Sequence, residues 1–188
     1  KYTMRGEETY QKYAKYIEEI TSAKVGNYLV FFPSYRFMED VWKFYQECKN
    51  PNTVCILQDV SMSEAKREEF LEAFHTNKES GLVGFCVLGG IFSEGIDLTA
   101  EKLIGAIIVG TGLPQVCNER EILKNYFDAK GENGFSYSYL YPGMNKVQQA
   151  AGRVIRTEQD VGVVALLDER FLGRQYMETF PREWKKYE

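Results

Sequence analysis

The 188-residue sequence has no long hydrophobic run, few cysteines and a single histidine. No stretch approaches the roughly 18 to 20 consecutive apolar residues that a membrane span requires, and the first ten residues lack the apolar segment of a secretory signal. The charges nearly balance, with 23 basic and 27 acidic side chains and a net charge of −4. These absences argue against a membrane protein and a broadly basic nucleic-acid coat, but they leave room for a local basic groove. We expect a cytoplasmic protein with no membrane partner.

The four cysteines include no Cys-x-x-Cys pair of the kind that chelates zinc or holds an iron–sulfur cluster. Two of them, Cys55 and Cys86, lie in apolar runs, which is typical of reduced core cysteines. The single histidine, His75, follows an amphipathic stretch, and we expect it at the surface near a helix end. The sequence also contains no Gly-x-x-x-x-Gly-Lys-Ser/Thr phosphate loop, no magnesium-binding acidic box and no dinucleotide-binding fingerprint. The sequence therefore predicts no metal site.

Apolar runs of strand length alternate with helical periods, which is typical of an α/β fold with a mainly parallel sheet. The predicted strands cover residues 27–32, 53–58, 82–90, 103–110 and 161–167. The predicted helices cover residues 7–23, 35–48, 64–75, 118–129 and 145–156, and Ser34 and Ser63 are expected to cap the second and third. We predict a single domain, residues 1–188, with a leading helix within 1–26, a core at 27–172 and a tail at 173–188. Because the sequence begins with Lys1 rather than Met, we expect it to be a piece of a longer protein.

The strongest candidate site lies in the last predicted helix, at Gln149, Gly152, Arg153 and Arg156. Separations of four and three residues would place Gln149, Arg153 and Arg156 on one helical face. The opposite face would carry Val147, Ala151, Val154 and Ile155. Two guanidinium groups and an amide form an array of donors suited to phosphate oxygens. A glycine inside a helix costs about 1 kcal/mol relative to alanine, so Gly152 indicates a close approach by another group.

The second candidate site is the glycine-rich turn after the third strand, which contains Ser93, Glu94, Gly95 and Asp97. In open α/β sheets, ligands bind at the carboxyl ends of the strands, and this turn follows such an end. Glycine allows the backbone to come close to a ligand. Asp97 could bind a ribose hydroxyl or orient an arginine. This turn is therefore a candidate nucleotide-binding segment.

Taken together, these segments resemble the second RecA-like domain of superfamily 2 helicases, in the DinG and Rad3/XPD branch. Residues 30–35 (Val-Phe-Phe-Pro-Ser-Tyr) resemble motif IV of that family, residues 92–97 resemble motif V, and residues 149–156 resemble motif VI. The resemblance extends over residues 27–172. It implies a RecA-like, P-loop NTPase-like domain with three layers, a mainly parallel sheet and no phosphate loop of its own.

The resemblance also implies roles for individual residues. ATP would lie between this domain and a first RecA-like domain of the same polypeptide, with Arg153 and Arg156 acting as arginine fingers. The nucleotide interface would be lined by Gln149, Glu94, Gly95, Asp97 and Gly152. The track for single-stranded DNA would include Ser34, Tyr35, Ser93 and Thr111. Mg²⁺ and any iron–sulfur cluster would belong to the first domain.

The expected function is the C-terminal motor domain of an ATP-dependent 5′ to 3′ DNA helicase, inactive as an ATPase by itself and nucleoid-associated in a bacterium. An alternative is a non-catalytic RecA-like module that binds a partner protein or regulates another ATPase. A small-molecule enzyme on a Rossmann-like sheet is disfavoured by the absent dinucleotide fingerprint.

Overall fold

A computed structural model of the chain describes residues 6–76, 80–93, 103–155 and 161–185. Within these residues, five strands form one sheet with the order β2-β3-β1-β4-β5, and all neighbouring strands are parallel. The strands are β1 (Asn27–Phe32), β2 (Val54–Leu57), β3 (Leu82–Val87), β4 (Gly105–Val109) and β5 (Val163–Leu167). The predicted α/β fold with a parallel sheet is confirmed.

Helices cover both faces of the sheet. The described helices are α1 (Glu7–Ala23), α2 (Tyr35–Cys48), α3 (Glu64–Thr76), α4 (Asn118–Ala129), α5 (Tyr141–Ala151) and the short α6 (Arg174–Met177). Buried residues of α1 and α2 pack on one face, and buried residues of α3 and α5 pack on the other. The result is three layers. In the described part of the chain, no helix combines the length and hydrophobicity that a membrane crossing requires.

The central strand β1 is buried along its whole length, which explains its unbroken apolar sequence. Its side chains alternate between the two faces of the sheet. Leu29 and Phe31 pack toward α3 and α5, and Val30 and Phe32 pack toward α1 and α2. The strand therefore joins the two halves of the core.

Serine hydroxyls begin α2 and α3, as the sequence predicts. The Ser34 hydroxyl accepts a hydrogen bond from the Phe37 amide at 3.3 Å, and the Ser63 hydroxyl accepts one from the Lys66 amide at 3.3 Å. These bonds satisfy amides that have no partner inside the helix. Both predicted caps are confirmed.

The last predicted helix begins earlier than expected. A π-helical turn, Ser136–Leu140, leads directly into α5, which begins at Tyr141 rather than near Asn145. Pro142 fits the first turn of α5, where its missing N–H costs no hydrogen bond. Gly143 allows close packing, because a Cβ on this residue would lie 2.8 Å from the Thr111 carbonyl oxygen.

The same helix also ends earlier than expected, at Ala151. Gly152 is the residue that caps the end of α5, so the prediction that it lies inside a helix was wrong. Of the four residues predicted to share the opposite face, Val147, Ala151 and Val154 are buried, but Ile155 is 44% exposed. Beyond Ala151 the chain is no longer helical, so helical spacing does not predict which of the following side chains are buried.

The segment after residue 172 packs against the α3–α5 side of the core. It contains α6 and a 3₁₀ turn, Arg182–Lys185. Tyr176 is buried, and the partly buried rings of Phe180 and Trp184 pack on the same cluster. The hydrophobic core on this side therefore extends into the region expected to be a tail.

Candidate functional site

The loops after the strands lie at one edge of the sheet, because all its strands run in the same direction. In parallel α/β sheets this edge is where ligands bind. The predicted DNA-contacting residues come from three adjacent strand ends: Ser34 and Tyr35 after β1, Ser93 in the segment after β3, and Thr111 after β4. The fold thus gathers segments that are far apart in the sequence.

Tyr35 follows Ser34, at the start of α2, and its side chain is half-buried. Its phenol oxygen accepts a hydrogen bond of 2.8 Å from the Gln58 side-chain amide. Burial raises the pKa of Tyr35, and the nearby Cys86 and Asp59 raise it further. The phenol is therefore protonated at neutral pH and can donate a hydrogen bond.

Gln58 was not among the predicted site residues. It directly follows β2 and is only 2% exposed. Its side-chain oxygen accepts a hydrogen bond of 2.9 Å from the Val87 amide at the end of β3, while its NH₂ group donates to Tyr35. The one available signal in the sequence is that a glutamine ends a strand-length apolar run, where a buried polar side chain needs partners.

The turn after β3, residues 88–93, is held between α3 and α5. Gly89 has a φ of +71°, in the left-handed region that favours glycine, and a Cβ there would lie 2.9 Å from Cε of Lys146 on α5. Phe92 is fully buried and stacks on Phe70 of α3, with ring centroids 4.1 Å apart. Packing from both helices therefore fixes the path of this turn.

Ser93 is the last described residue of this turn and is fully buried. Its hydroxyl donates a hydrogen bond of 2.8 Å to the Gly90 carbonyl, and its amide donates one of 3.0 Å to the same oxygen. The side chain of Ser93 thus stabilises the turn itself. The three predicted nucleotide-binding residues that come next, Glu94, Gly95 and Asp97, lie outside the described residues.

Arg153 lies beyond the end of α5 and is half-buried. Its guanidinium group donates two hydrogen bonds to the Ser93 carbonyl oxygen, from Nη2 at 2.9 Å and from Nε at 3.2 Å. Two predicted site residues are therefore in direct contact. Gln149 is exposed on α5, and Arg156 lies outside the described residues. Because α5 ends before Gly152, the continuous helical face predicted for Gln149 and Arg153 is not present, and this expectation was wrong.

Thr111 lies in the turn after β4, between two glycines with left-handed backbone, Gly110 (φ +83°) and Gly112 (φ +64°). It is 1% exposed, and its hydroxyl has no hydrogen-bond partner within the described residues. A Cβ on Gly112 would lie 2.9 Å from the Gly143 carbonyl oxygen, so the turn rests directly on the first turn of α5. The backbone of this turn is thereby fixed against α5.

Asp168 follows β5, and its carboxylate is paired with Arg170, two residues further along the chain. Its carboxylate accepts hydrogen bonds from the Arg170 guanidinium at 2.8 Å and 2.7 Å, and from the Arg170 amide at 2.9 Å. Burial by itself would raise the pKa of Asp168, but these hydrogen bonds outweigh it and lower the pKa below its usual value. Across the described ranges, no group of three or more His, Cys, Asp or Glu side chains could hold a metal ion.

A family model described as the helicase C-terminal domain matches residues 17–187. The chain belongs to this family. The match includes the Tyr35, Ser93 and Arg153 segments described above, together with the segment that packs as α6. The predicted membership of the DinG and Rad3/XPD branch of superfamily 2 is confirmed by this match together with the relatives below.

The helicase C-terminal domain is 30% identical over 176 residues to a probable ATP-dependent helicase of Methanocaldococcus jannaschii, a match covering 86% of this chain and 26% of that protein. It is 32% identical over 170 residues to the regulator of telomere elongation helicase 1 homolog of Arabidopsis thaliana, covering 76% of this chain and 16% of that protein. The chain thus spans about a quarter or less of the length of these relatives.

A solved structure of an XPD helicase has the same fold. It superposes with a TM-score of 0.74 and 26% sequence identity, over 95% of this chain and 31% of the XPD chain. The predicted RecA-like fold of this helicase C-terminal domain is therefore confirmed.

Proposed function

We propose that this helicase C-terminal domain is the second motor lobe of an ATP-dependent DNA helicase that moves 5′ to 3′ on single-stranded DNA. The observation that carries the proposal is the pair of hydrogen bonds from Arg153 to the Ser93 carbonyl. These bonds join the segment that resembles motif VI to the segment that resembles motif V. The named relatives are helicases, which supports the same conclusion.

In this proposal, ATP binds between this lobe and a first RecA-like domain of the same polypeptide. Arg153 and Arg156 reach its phosphates as arginine fingers. Guanidinium groups stabilise the negative charge that spreads over the transferred phosphoryl group, and such a finger is worth roughly 10³ to 10⁵ in turnover. The same interface is proposed to include Gln149, Glu94, Gly95, Asp97 and Gly152.

We assign Mg²⁺ and any iron–sulfur cluster to the first domain. The sequence of this chain has no phosphate loop, which is the element that holds the β- and γ-phosphates in such motors. The described residues also offer no acidic cluster for the metal. We therefore expect the chain by itself to hydrolyse ATP no faster than the background rate.

The proposed track for single-stranded DNA passes over Ser34, Tyr35, Ser93 and Thr111. Tyr35 is the clearest candidate for a side-chain contact, because its side chain is partly exposed and its phenol is protonated. The hydroxyls of Ser93 and Thr111 are buried, so we propose that the backbone of their turns makes the contact. Hydroxyls and backbone amides bind phosphates without requiring a positive surface. Because the proposed substrate is DNA, we expect the parent to act in the cytoplasm, with the nucleoid in a bacterium.

The assignment of arginine fingers can be tested in the intact parent helicase. Arg153→Ala and Arg156→Ala should each reduce DNA-stimulated ATP hydrolysis by about 10³-fold, because each removes a positive charge from the phosphoryl-transfer site. The matched control is Arg174→Ala, which removes an arginine whose side chain is 92% exposed and pairs only with Glu178 on the surface among the contacts described for it. This control should retain about the wild-type rate.

Steady-state turnover should be measured at saturating ATP and DNA, together with the thermal unfolding midpoint of each variant. The proposal requires the two finger variants to lose turnover while they remain folded. Near-normal turnover in both variants would contradict the assigned roles. Equal loss in the Arg174 control would show that the effect is not specific to the proposed site.

A further inference from the structure

Gln58 is a polar side chain that is buried although no proposed ligand contacts it. It is 2% exposed, and it lies where the ends of β1, β2 and β3 meet. Its backbone amide donates a hydrogen bond of 2.8 Å to the Phe85 carbonyl, which continues the β2–β3 pairing by one step. The backbone hydrogen bond fixes the position of the residue, and hydrogen bonds with Val87 and Tyr35 fix its side chain.

The two partners determine which way the Gln58 amide points. The Val87 amide can only donate, so the side-chain oxygen must face it, at 2.9 Å. The NH₂ group then faces Tyr35 at 2.8 Å, and because NH₂ can only donate, the Tyr35 oxygen must accept. The phenol proton of Tyr35 is consequently left to point away from Gln58. It can be donated to an acceptor such as a phosphate oxygen.

Hydrogen bonds continue from Gln58 toward Arg153. The Gly90 amide donates to the Val87 carbonyl at 3.0 Å, and both the amide and the hydroxyl of Ser93 donate to the Gly90 carbonyl. The Ser93 carbonyl then accepts both bonds from Arg153. Gly90 also packs on Gln58, since a Cβ there would lie 3.2 Å from the side-chain nitrogen. A continuous series of contacts thus joins Tyr35 to Arg153.

We propose that Gln58 is a positioning residue that turns the Tyr35 phenol toward a phosphate of single-stranded DNA and links it to the turn that holds Arg153. The inference rests on the proposed function, because it takes Tyr35 to contact DNA and Arg153 to contact nucleotide. Gln58 itself touches neither ligand. Through Gln58, DNA binding to Tyr35 at the end of β1 affects the turn after β3, which contacts Arg153.

The most direct test is Gln58→Glu in the intact parent helicase. A carboxylate still accepts the Val87 amide, so the link to β3 is retained. It cannot donate to Tyr35, so the phenol must donate to it instead, and its proton is no longer available to DNA. The DNA concentration for half-maximal stimulation of ATP hydrolysis should rise at least about tenfold, the effect of losing one hydrogen bond to a charged group.

Tyr35→Phe is the companion variant, and the double variant separates positioning from charge. Tyr35→Phe should raise the half-stimulating DNA concentration to a similar extent. If Gln58 acts through Tyr35, adding Gln58→Glu to Tyr35→Phe should produce little further change. If the new negative charge simply repels DNA, its effect should persist in full in the double variant, which would overturn the inference.

Gln58→Met gives a second variant in which both polar atoms are lost. The inference predicts that this variant is stimulated less by DNA than the wild type. The comparison is made under conditions in which thermal unfolding shows the same folded fraction for both proteins. A loss of stability with unaltered DNA stimulation would show a merely structural glutamine and would overturn the inference.

The proposed function and this inference fail in different ways. If Arg153→Ala abolishes turnover while the effects of Gln58→Glu and Tyr35→Phe add, only the inference is wrong. If the parent shows no DNA-stimulated ATP hydrolysis, or Arg153→Ala has no effect, both are wrong.

Discussion

On the α1–α2 side of the sheet, aromatic rings surround Phe85, whereas on the α3–α5 side glycines and hydrogen bonds hold a turn against a helix. Phe32 stacks on Phe85 at 5.3 Å between centroids, and Trp42 meets it edge-on at 5.0 Å. The other side also has a hydrophobic core, but it adds the contact between Ser93 and Arg153. One side contributes mainly to stability, and the other also carries the proposed chemistry.

This difference explains how a small domain can present a site without loosening its core. All the proposed ligand contacts lie outside the core on the α1–α2 side, so dense packing on that side does not block a site. Tyr35 belongs to that side but lies at the edge of the sheet, where Gln58 connects it to the turn on the other side. Substitutions should therefore separate into those that change stability and those that change activity.

The largest effect on stability is expected from Phe85→Ala. Phe85 is fully buried and contacts three other aromatic rings, so the substitution should lower the free energy of unfolding by about 3 to 5 kcal/mol. Urea denaturation of the chain measures this directly. Phe85→Leu, which leaves a smaller cavity, should cost less. A loss under about 1 kcal/mol for the alanine variant would contradict the described packing.

The next effect concerns the close approach on the α3–α5 side. Gly112→Ala should cost about 1 to 3 kcal/mol, because the residue has a φ of +64° and its Cβ would lie 2.9 Å from the Gly143 carbonyl. Gly131→Ala is the matched control, since Gly131 has a similar φ of +78° but open space around its Cβ position. Urea denaturation of both variants should give the larger loss for Gly112. Equal losses would mean that the contact with α5 contributes nothing.

Two native thiols can report on the two sides separately. Burial raises the pKa of Cys55, on the α1–α2 side, to about 11, and Cys86, on the other side, is fully buried. Labelling of Cys55 should therefore be slow at pH 8 and accelerate about tenfold per pH unit toward pH 11, because the thiolate is the reactive form. Cys86 should be labelled only when the sheet opens, whereas the exposed Cys117 serves as the accessible control.

The raised pKa of Cys55 also affects stability at alkaline pH. The unfolded thiol ionises near pH 9.0, below the folded pKa, so the contribution of Cys55 is complete below pH 9 and is lost as the pH rises toward 11. Cys55→Ser should reduce this dependence. Rapid labelling of Cys55 at pH 8 in the folded chain would contradict its described burial.

The smallest effect is expected in α4, which belongs to neither side of the core. None of its residues is buried, and Ile122 is 69% exposed. Ile122→Ser should therefore change the free energy of unfolding by no more than about 0.5 kcal/mol. The matched control is Ile107→Ser in the centre of β4, where the side chain is fully buried and the loss should be several times larger. A large loss for Ile122→Ser would indicate that α4 packs more tightly than described.

The strands could be predicted from the sequence because the sheet is covered on both faces. A strand such as β1 must then be apolar throughout, and its bounds match the prediction. The third strand was predicted to reach Gly90, but β3 ends at Val87 and Gly89 adopts a left-handed backbone. Local periodicity cannot distinguish an extended glycine from one that begins a turn.

The start of α5 could not be predicted for a similar reason. Pro142 and Gly143 are read as helix breakers, yet the approach of Gly143 to the Thr111 carbonyl selects glycine there. That contact depends on residues more than thirty positions away. The residue type of Arg153 and the resemblance single it out in the sequence, and its role stays a prediction, but its placement on a helix was wrong.

The sequence shows only that Gln58 ends an apolar run, because the partners of its side chain depend on strand register. Leu57 pairs with Phe85, and this register brings the Gln58 side chain within reach of the Val87 amide, two residues further along β3. The order of strands then brings β1, and with it Tyr35, to the same place. No local pattern contains that information.

Hydrogen exchange of the intact parent tests the division between the two sides most directly. The amides of Gly90, Ser93 and Arg153 donate hydrogen bonds in turns, so they should exchange through local opening rather than global unfolding. Adding a non-hydrolysable ATP analogue and single-stranded DNA should slow exchange at residues 87–93 and 150–155 by at least about tenfold, with no change in residues 38–48. Slowing confined to residues 38–48, with the turn and the end of α5 unaffected, would contradict the account.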